Sequence, residues 1–392
     1  MSKKRLAVLG STGSVGVQTL EVAAAHPDAF EVIALAAHRN AEALVRQAIA
    51  CRPRRVAIAD PREAEALRAA LRSALGASAP AVDCGADSLA ELASDPEADV
   101  VVQAVSGAAG LPASIAAVAA RKTLALANKE SLVVAGELLT RLARRTGARV
   151  IPIDSEHSAI LQSLRSGRPS EVRRVILTAS GGPFLNRPAG DLSGVTPEEA
   201  VRHPRWDMGP RISVDSATLV NKALEIVEAK WLFDLEPSRI FVVIHPQSIV
   251  HSMVEFHDGS VVAQMGSPDM RVPIRFALGF PDRLPARNGG FDARAFDGLR
   301  FLEPDDRSRR ALALGFRAAE TGGTLGAALN AADEVAVAAF LHRKIPFDRI
   351  VDVVEKVMDR HRSVPETDLA TVTAADAESR AEARSLVAST RR

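Results

Sequence analysis

The chain has 392 residues, 47% of them hydrophobic and 25% charged, with two cysteines and a formal net charge of +1. That length allows two or three domains and a sizeable core, and the near-neutral balance excludes general attraction to nucleic acid or to a membrane surface. Two cysteines without CxxC or zinc spacing read as thiols in a reducing compartment.

Ser2-Lys3-Lys4-Arg5 is basic, but the apolar run Leu6-Ala7-Val8-Leu9 behind it is too short for a secretion signal. No later run could span a bilayer, so the expected location is cytoplasmic. The same run reads as a buried strand. It enters Gly10-Ser11-Thr12-Gly13-Ser14-Val15-Gly16, and a helical pattern follows through Val17, Leu20, Val22 and Ala23. Strand, glycine turn and helix are the context of a dinucleotide fingerprint, here spaced GxxGxxG; the alternative is a plain turn. After the next strand, residues 31–36, stand His38, Arg39 and Asn40 with no acid for a ribose 2′-hydroxyl. A guanidinium there suits a 2′-phosphate, which favours NADP over NAD.

Strands at 56–59, 99–104 and 123–127 alternate with Ala-rich helices at 62–75 and 113–121. Such alternation predicts a parallel sheet covered on both faces. Ser106-Gly107 and Asn128-Lys129-Glu130-Ser131 follow strand ends, where ligands bind in such sheets, so Lys129 is well placed for chemistry. A second region begins near Val150, whose strand ends in Asp154-Ser155-Glu156-His157-Ser158. In an extended segment Asp154 and Glu156 share a face, and paired carboxylates call for a hard cation such as Mg²⁺ or Mn²⁺, or are simply solvated acids. Glu225 is the obvious third ligand.

A strand at 174–179 closes in Ser180-Gly181-Gly182-Pro183-Phe184, a phosphate-friendly turn. Residues 185–208 lack clean periodicity and read as a lid or a disordered segment, with His203 and Trp206 near its end. Then comes a helix, with Asp215 or Ser216 expected as N-cap and Leu219, Ala223, Leu224 and Val227 as its apolar stripe. On it Asn221 and Lys222 lie three or four residues before Glu225, which gathers an amide, an ammonium and a carboxylate; an ordinary surface Lys–Glu pair is the plainer reading. Strands at 241–244, 245–256 and 260–264, with an Asp258-Gly259 turn, suggest a mixed sheet. Residues 282–306 read as a linker, and helices are expected at 308–320, 325–341, 347–360 and 374–387. The expected fold class is α/β. A Rossmann-like parallel-sheet domain (1–150) precedes an α+β catalytic domain with a mixed sheet (151–281, lid about 184–210), the linker (282–306) and a C-terminal helical bundle domain (307–392).

Seven stretches carry a resemblance: GSTGSVG at Gly10, ANKES at Ala127, PIDSEHSA at Pro152, SGGPF at Ser180, HPRWDMGPRISVDSATLVNKALE at His203, HPQSIVHSMVEF at His245 and LNAADEVAVAAFL at Leu329. In this order the chain resembles the 1-deoxy-D-xylulose 5-phosphate reductoisomerase family over essentially its whole length. The resemblance implies NADPH- and metal-dependent rearrangement and reduction of 1-deoxy-D-xylulose 5-phosphate to 2-C-methyl-D-erythritol 4-phosphate by a homodimer. This is the committed step of the non-mevalonate (MEP) isoprenoid route. The metal would be Mn²⁺ or Mg²⁺, with Co²⁺ as an alternative, held by Asp154, Glu156 and Glu225. The phosphate would be bound by Ser180, Ser216, Asn221 and Lys222, with His203 contacting substrate from the lid and Trp206 covering it. Lys129 and Ser155 would meet the reacting carbons and oxygens. Thr12, Gly13, Ser14, Val15, Arg39, Asn40, Asn128, Glu130 and Gly209 would touch the cofactor. Departures are few: His38 and Arg39 stand where Gly and Lys are common, and Asp333 where Asn is usual. A plain NADP-dependent dehydrogenase and a non-catalytic NADP-binding protein are the alternatives; each leaves the third carboxylate unexplained.

Overall fold

The computed structural model describes residues 3–187, 192–206, 208–286, 290, 293, 294 and 296–389. Parts of the expected lid (188–191 and 207) and of the expected linker (287–289, 291, 292 and 295) lie outside the described residues. The chain divides into two compact units, one of 1–128, 139–158 and 270–288, the other of 129–138, 159–269 and 289–392.

In the first unit, β1 (Lys4–Leu9), β2 (Phe30–Ala37), β3 (Arg55–Ile58), β4 (Ala81–Cys84), β5 (Val100–Gln103), β6 (Thr123–Leu126) and β7 (Arg149–Pro152) form one sheet in the order β4-β3-β2-β1-β5-β6-β7. Every pairing is parallel. Its central strands read as unbroken apolar runs because helices cover both faces: Leu6 to Leu9 and Val101 and Val102 are fully buried. The order reverses between β1 and β5, the position at which such sheets bind ligands beyond their carboxyl ends. Late in the sequence, helix Arg271–Gly279 returns to this unit and packs on helix Ser14–Ala25 and on β6 and β7. The Lys4 ammonium donates to the carbonyls of Leu278, Gly279 and Phe280 at that helix's end, at 2.9, 3.2 and 2.9 Å.

In the second unit, β8 (Val172–Ala179), β9 (Ile240–Ile244), β10 (Val250–Phe256) and β11 (Val261–Met265) form a mixed sheet in the order β11-β10-β8-β9. β8 and β9 are parallel, whereas β10 is antiparallel to β8 and β11. The expected Asp258-Gly259 turn joins β10 to β11, with Gly259 at φ +86°. Helices Val220–Phe233, Asp306–Thr321, Leu325–Leu341, Arg349–Arg360 and Leu369–Ser389 share one apolar core with this sheet. Gly315 lets two of them close: a Cβ there would meet the Ala223 carbonyl oxygen at 2.4 Å. The expected fold class holds, with a parallel sheet first, a mixed sheet next and a helical region last.

Two local expectations are corrected. The stretch at 210–233 is not one helix capped at Asp215 or Ser216, but Pro210–Thr218 and Val220–Phe233, parted by Leu219 in the left-handed region at φ +66°. Asp215 is buried inside the first of them. Nor is the segment after β7 extended, because helix Ser155–Leu164 begins directly after Asp154. The Asp154 carbonyl accepts the Ser158 N–H at 2.8 Å, so Asp154 stands at a helix start, a local arrangement that Asp favours. Among the described residues no helix is long and apolar enough to cross a membrane.

Candidate functional site

The glycine turn after β1 is shaped by close backbone approach. A Cβ on Gly10 (φ +77°) would lie 2.5 Å from the Ala104 carbonyl oxygen beyond β5, and one on Gly16 would lie 2.3 Å from the Gly10 oxygen. Gly13 is the N-cap of helix Ser14–Ala25, and no side chain caps that helix. Its first N–H groups, at Ser14 and Val15, and the neighbouring Thr12 therefore form a start suited to an anion such as a pyrophosphate. Arg39 and Asn40 follow β2. Asn40 caps helix Ala41–Cys51 by accepting the Ala43 N–H at 3.0 Å, and Arg39 Nε lies 3.2 Å from Asp60 Oδ2. Asn128, after β6, donates to the carbonyls of Val105 and Gly107 at 2.7 and 2.9 Å and ties two loops at the sheet's carboxyl edge.

The first unit also carries Asp154, Ser155 and Glu156. Although the extended-strand argument for them fails, carboxylate oxygens of Asp154 and Glu156 still lie within 4.8 Å of each other. The Ser155 hydroxyl donates to Glu156. Two acids this close, offering oxygen only, suit a hard divalent cation. His157, not singled out in the sequence reading, is fully buried with Nδ1 3.6 Å from Asp154 Oδ1. Its spacing of three from Asp154 was the available signal, since metal-binding carboxylates are commonly oriented by such neighbours.

The second unit gathers Lys129, Asn221, Lys222 and Glu225. The Glu225 carboxylate is 1% exposed. Its Oε1 accepts from Lys129 Nζ at 2.9 Å and Asn221 Nδ2 at 2.5 Å, and its Oε2 accepts from the Lys222 ammonium. Lys129 Nζ also donates to Asn221 Oδ1 at 2.8 Å. The helical spacing of 221, 222 and 225 produced three members of the cluster as expected, and Lys129 comes from far away in sequence. One buried carboxylate thus accepts from two ammonium groups and an amide.

Ser180 follows β8. A Cβ on Gly182 would lie 2.8 Å from the Ser216 carbonyl oxygen, so the glycine turn packs directly against the helix bearing Ser216. His203 Nδ1 accepts the N–H groups of Arg205 and Trp206 at 3.2 and 2.9 Å. That assigns the ring proton to Nε2, which donates to Ser180 Oγ at 2.9 Å. Ser180 Oγ also accepts the Gly182 N–H at 3.1 Å, leaving the hydroxyl to act as a donor. Burial lowers the His203 pKa to about 4, so the imidazole is neutral at pH 7. Trp206 lies 6.1 Å, centroid to centroid, from His251, a neighbour that the sequence reading did not single out. Within the expected lid, Thr196 and Glu199 form a reciprocal capping box around a short helix, Pro197–Ala200. The T-P-E-E spacing was a legible signal for it.

The remaining expected cofactor contacts, Glu130 and Gly209, fall in the second unit. Gly209 is the N-cap of helix Pro210–Thr218 and accepts the Ser213 hydroxyl at 3.1 Å. Glu130 accepts from Arg211 at 2.7 Å. Arg211 also meets Asn330 at 3.1 Å, Asp333 at 3.3 Å, Glu334 at 3.2 Å and Asp215 at 3.6 Å. Burial first, and the neighbouring Asp333 next, push the Asp215 carboxyl well up; burial pushes Asp333 up to about 6 despite Arg211. This hub went unread because its members are scattered between 130 and 334.

Residues 6–136 match the family pattern described as 1-deoxy-D-xylulose 5-phosphate reductoisomerase, 150–233 match that enzyme's C-terminal domain, and 265–382 match the DXP reductoisomerase C-terminal domain. A 1-deoxy-D-xylulose 5-phosphate reductoisomerase from Symbiobacterium thermophilum is 50% identical over 382 residues, covering 97% of this chain and 98% of that one. The enzyme of Chlorobaculum tepidum is 48% identical over 384 residues, 98% and 100% of the two chains. Among solved structures, the reductoisomerase of Zymomonas mobilis in complex with NADPH superposes with a TM-score of 0.91 at 41% identity over 99% of both chains. A reductoisomerase in complex with NADPH, fosmidomycin and magnesium gives 0.93 at 37% identity, again over 99% of both.

Proposed function

The chain belongs to the 1-deoxy-D-xylulose 5-phosphate reductoisomerase family, and from that premise we propose how its residues divide the work. The reaction is the NADPH- and divalent-metal-dependent rearrangement and reduction of 1-deoxy-D-xylulose 5-phosphate to 2-C-methyl-D-erythritol 4-phosphate. The observation that carries the division of labour is the buried Glu225 carboxylate with Lys129, Asn221 and Lys222 around it.

Asp154, Glu156 and Glu225 are the ligands of Mg²⁺ or Mn²⁺; three oxygen donors fit either cation. When bound, the cation polarises the substrate's carbonyl as a Lewis acid, and NADPH supplies the hydride. Ser180 donates its hydroxyl to the substrate phosphate, which is also bound by Ser216, Asn221 and Lys222. The neutral His203 holds Ser180 in place through Nε2–H and contacts substrate beside it. Holding the phosphate, remote from the reacting carbons, orients the chain for carbon–carbon rearrangement. Lys129 and Ser155 orient the oxygens of the reacting carbons, and Lys129 also holds the Glu225 carboxylate through Nζ. Trp206 covers the substrate and excludes water as residues 184–210 close. Thr12, Gly13, Ser14 and Val15 carry the pyrophosphate and Arg39 the 2′-phosphate, with Asn40, Asn128, Glu130 and Gly209 completing the cofactor site.

By this reading 1–150 is the NADPH domain, 151–281 the catalytic domain, 282–306 a linker and 307–392 a helical domain. The enzyme is a cytoplasmic homodimer. β11 supports the dimer: it is the sheet's edge strand, and Val261 and Met265 project from it 52% and 42% exposed, a surface suited to pairing with a second copy.

The test follows NADPH absorbance with purified protein, 1-deoxy-D-xylulose 5-phosphate and Mg²⁺ or Mn²⁺, with and without EDTA. Substrate-dependent oxidation should stop with chelator and return with excess metal. Oxidation indifferent to EDTA would overturn the carboxylate assignment.

A further inference from the structure

The loops after β1, β2 and β3 adjoin one another. The N–H groups of Gly10 and Ser11 donate to the Ala36 carbonyl at 2.9 and 2.8 Å, which seats the glycine turn against the end of β2. The N–H groups of Ala59 and Asp60 donate to the carbonyls of Ala37 and His38 at 3.0 and 2.9 Å, which seats the turn after β3 against Arg39. Asp60 points its carboxylate at two arginines. Arg62 grips it through Nε at 2.9 Å, Nη2 at 2.6 Å and its own backbone N–H at 3.1 Å. Arg39 Nε meets the same carboxylate at 3.2 Å. The acid is 7% exposed, yet the side chains of Arg39 and Arg62 are 64% and 77% exposed.

We propose that Arg62 is a specificity-determining residue for the 2′-phosphate of the cofactor, bracketed beside Arg39 by Asp60. The inference rests on the NADPH reading given above. In a doubly wound sheet the adenosine ribose lies beyond the end of β2, where an acid reads the 2′-hydroxyl and a cation the 2′-phosphate. Here the acid that meets Arg39 comes from the end of β3, and both its oxygens are already engaged by arginines. It therefore serves as their anchor rather than as an acceptor for the ribose. The trio carries a net charge of +1, and the contacts to Asp60 do not use Nη1 and Nη2 of Arg39 or Nη1 of Arg62. Two planar forks set in place before binding recognise a phosphate with less ordering cost than two freely rotating side chains. Both arginine side chains are largely exposed, and Arg39 still pairs with Asp60 when Arg62 is removed, so Arg62→Ala leaves the fold standing.

The experiment measures dissociation constants of the full-length protein for NADPH, NADH and 2′-AMP by calorimetry. Wild type, Arg62→Ala and Arg72→Ala are compared, the last removing a charge from the exposed side of helix Ala64–Leu75. Arg62→Ala should weaken NADPH and 2′-AMP about tenfold and leave NADH unchanged, while Arg72→Ala changes none of the three. Equal weakening of NADPH and NADH, an unchanged NADPH constant, or the same loss in Arg72→Ala would each overturn the proposal and leave the NADPH reading intact. A wild type that binds NADH as tightly as NADPH would overturn the NADPH reading, and the proposal with it.

Discussion

The glycine turn at 10–16 and the Glu225 cluster both prepare for anions, by opposite means. The turn works through backbone: a Cβ on Gly10 or Gly16 would fall 2.5 or 2.3 Å from a neighbouring carbonyl oxygen, and the uncapped helix start presents N–H groups. The cluster works through side chains, with two buried ammonium groups and an amide converging on one carboxylate. The backbone site is written in a seven-residue motif, although part of what fixes its glycines, the Ala104 carbonyl beside Gly10, lies far away in sequence. A side-chain site can be completed by a lysine 96 positions away, as Lys129 completes this one.

The largest effect should come from the side-chain site. Glu225→Gln removes a metal-binding charge, so turnover should fall on the order of a thousandfold with weaker Mg²⁺ and Mn²⁺ binding. NADPH affinity should stay as it was; wild-type turnover and metal titration would remove Glu225 from the metal site. Gly16→Ala tests the backbone site. Its Cβ would sit 2.3 Å from the Gly10 oxygen and 2.5 Å from Ser11 Cα, at a cost of about 1–3 kcal/mol. NADPH affinity should fall with stability, whereas Gly13→Ala, whose nearest contact is 3.4 Å, should leave stability as it was. If both alanines behave alike in thermal melts, the turn is not shaped by close approach. Lys222→Ala is smaller again: one charge-assisted contact to the substrate phosphate should raise KM about 10- to 100-fold with a lesser change in kcat. An unchanged KM would take Lys222 out of the phosphate site.

The same contrast explains what the sequence could reveal. The alternation of strands and helices, the glycine turn, the Asp258-Gly259 hairpin and helix Leu325–Leu341 were legible because each depends on neighbours along the chain. The break at Leu219 was not, because no propensity places a leucine at φ +66°; tertiary packing imposes it. The helix at Ser155 was misread as extended because three polar residues after a strand carry no period. Carboxylate oxygens of Asp154 and Glu156 nonetheless lie within 4.8 Å of each other.

Arg211 and its acids form a third side-chain assembly and give the smallest effect. Asp333 is fully buried beside Asp215, with Glu130 and Glu334 also on Arg211, and Arg380 reaching Glu334 at 2.8 Å. Burial raises its pKa to about 6, from an ordinary value of 3.8. Between those values the folded protein keeps a proton that the unfolded chain has lost, so this group's contribution to stability falls as pH rises from about 4 to about 6. Asn cannot ionise. Asp333→Asn should therefore flatten the melting temperature against pH across that window and leave the variant as stable as the parent, or a few degrees more stable, at pH 8. The lost pairing with Arg211 holds the gain down, because Glu130, Glu334 and Asp215 still surround the guanidinium. A variant that melts lower than the parent at pH 8, with the same slope below pH 6, would show that Asp333 is held as a fully ionised partner of Arg211.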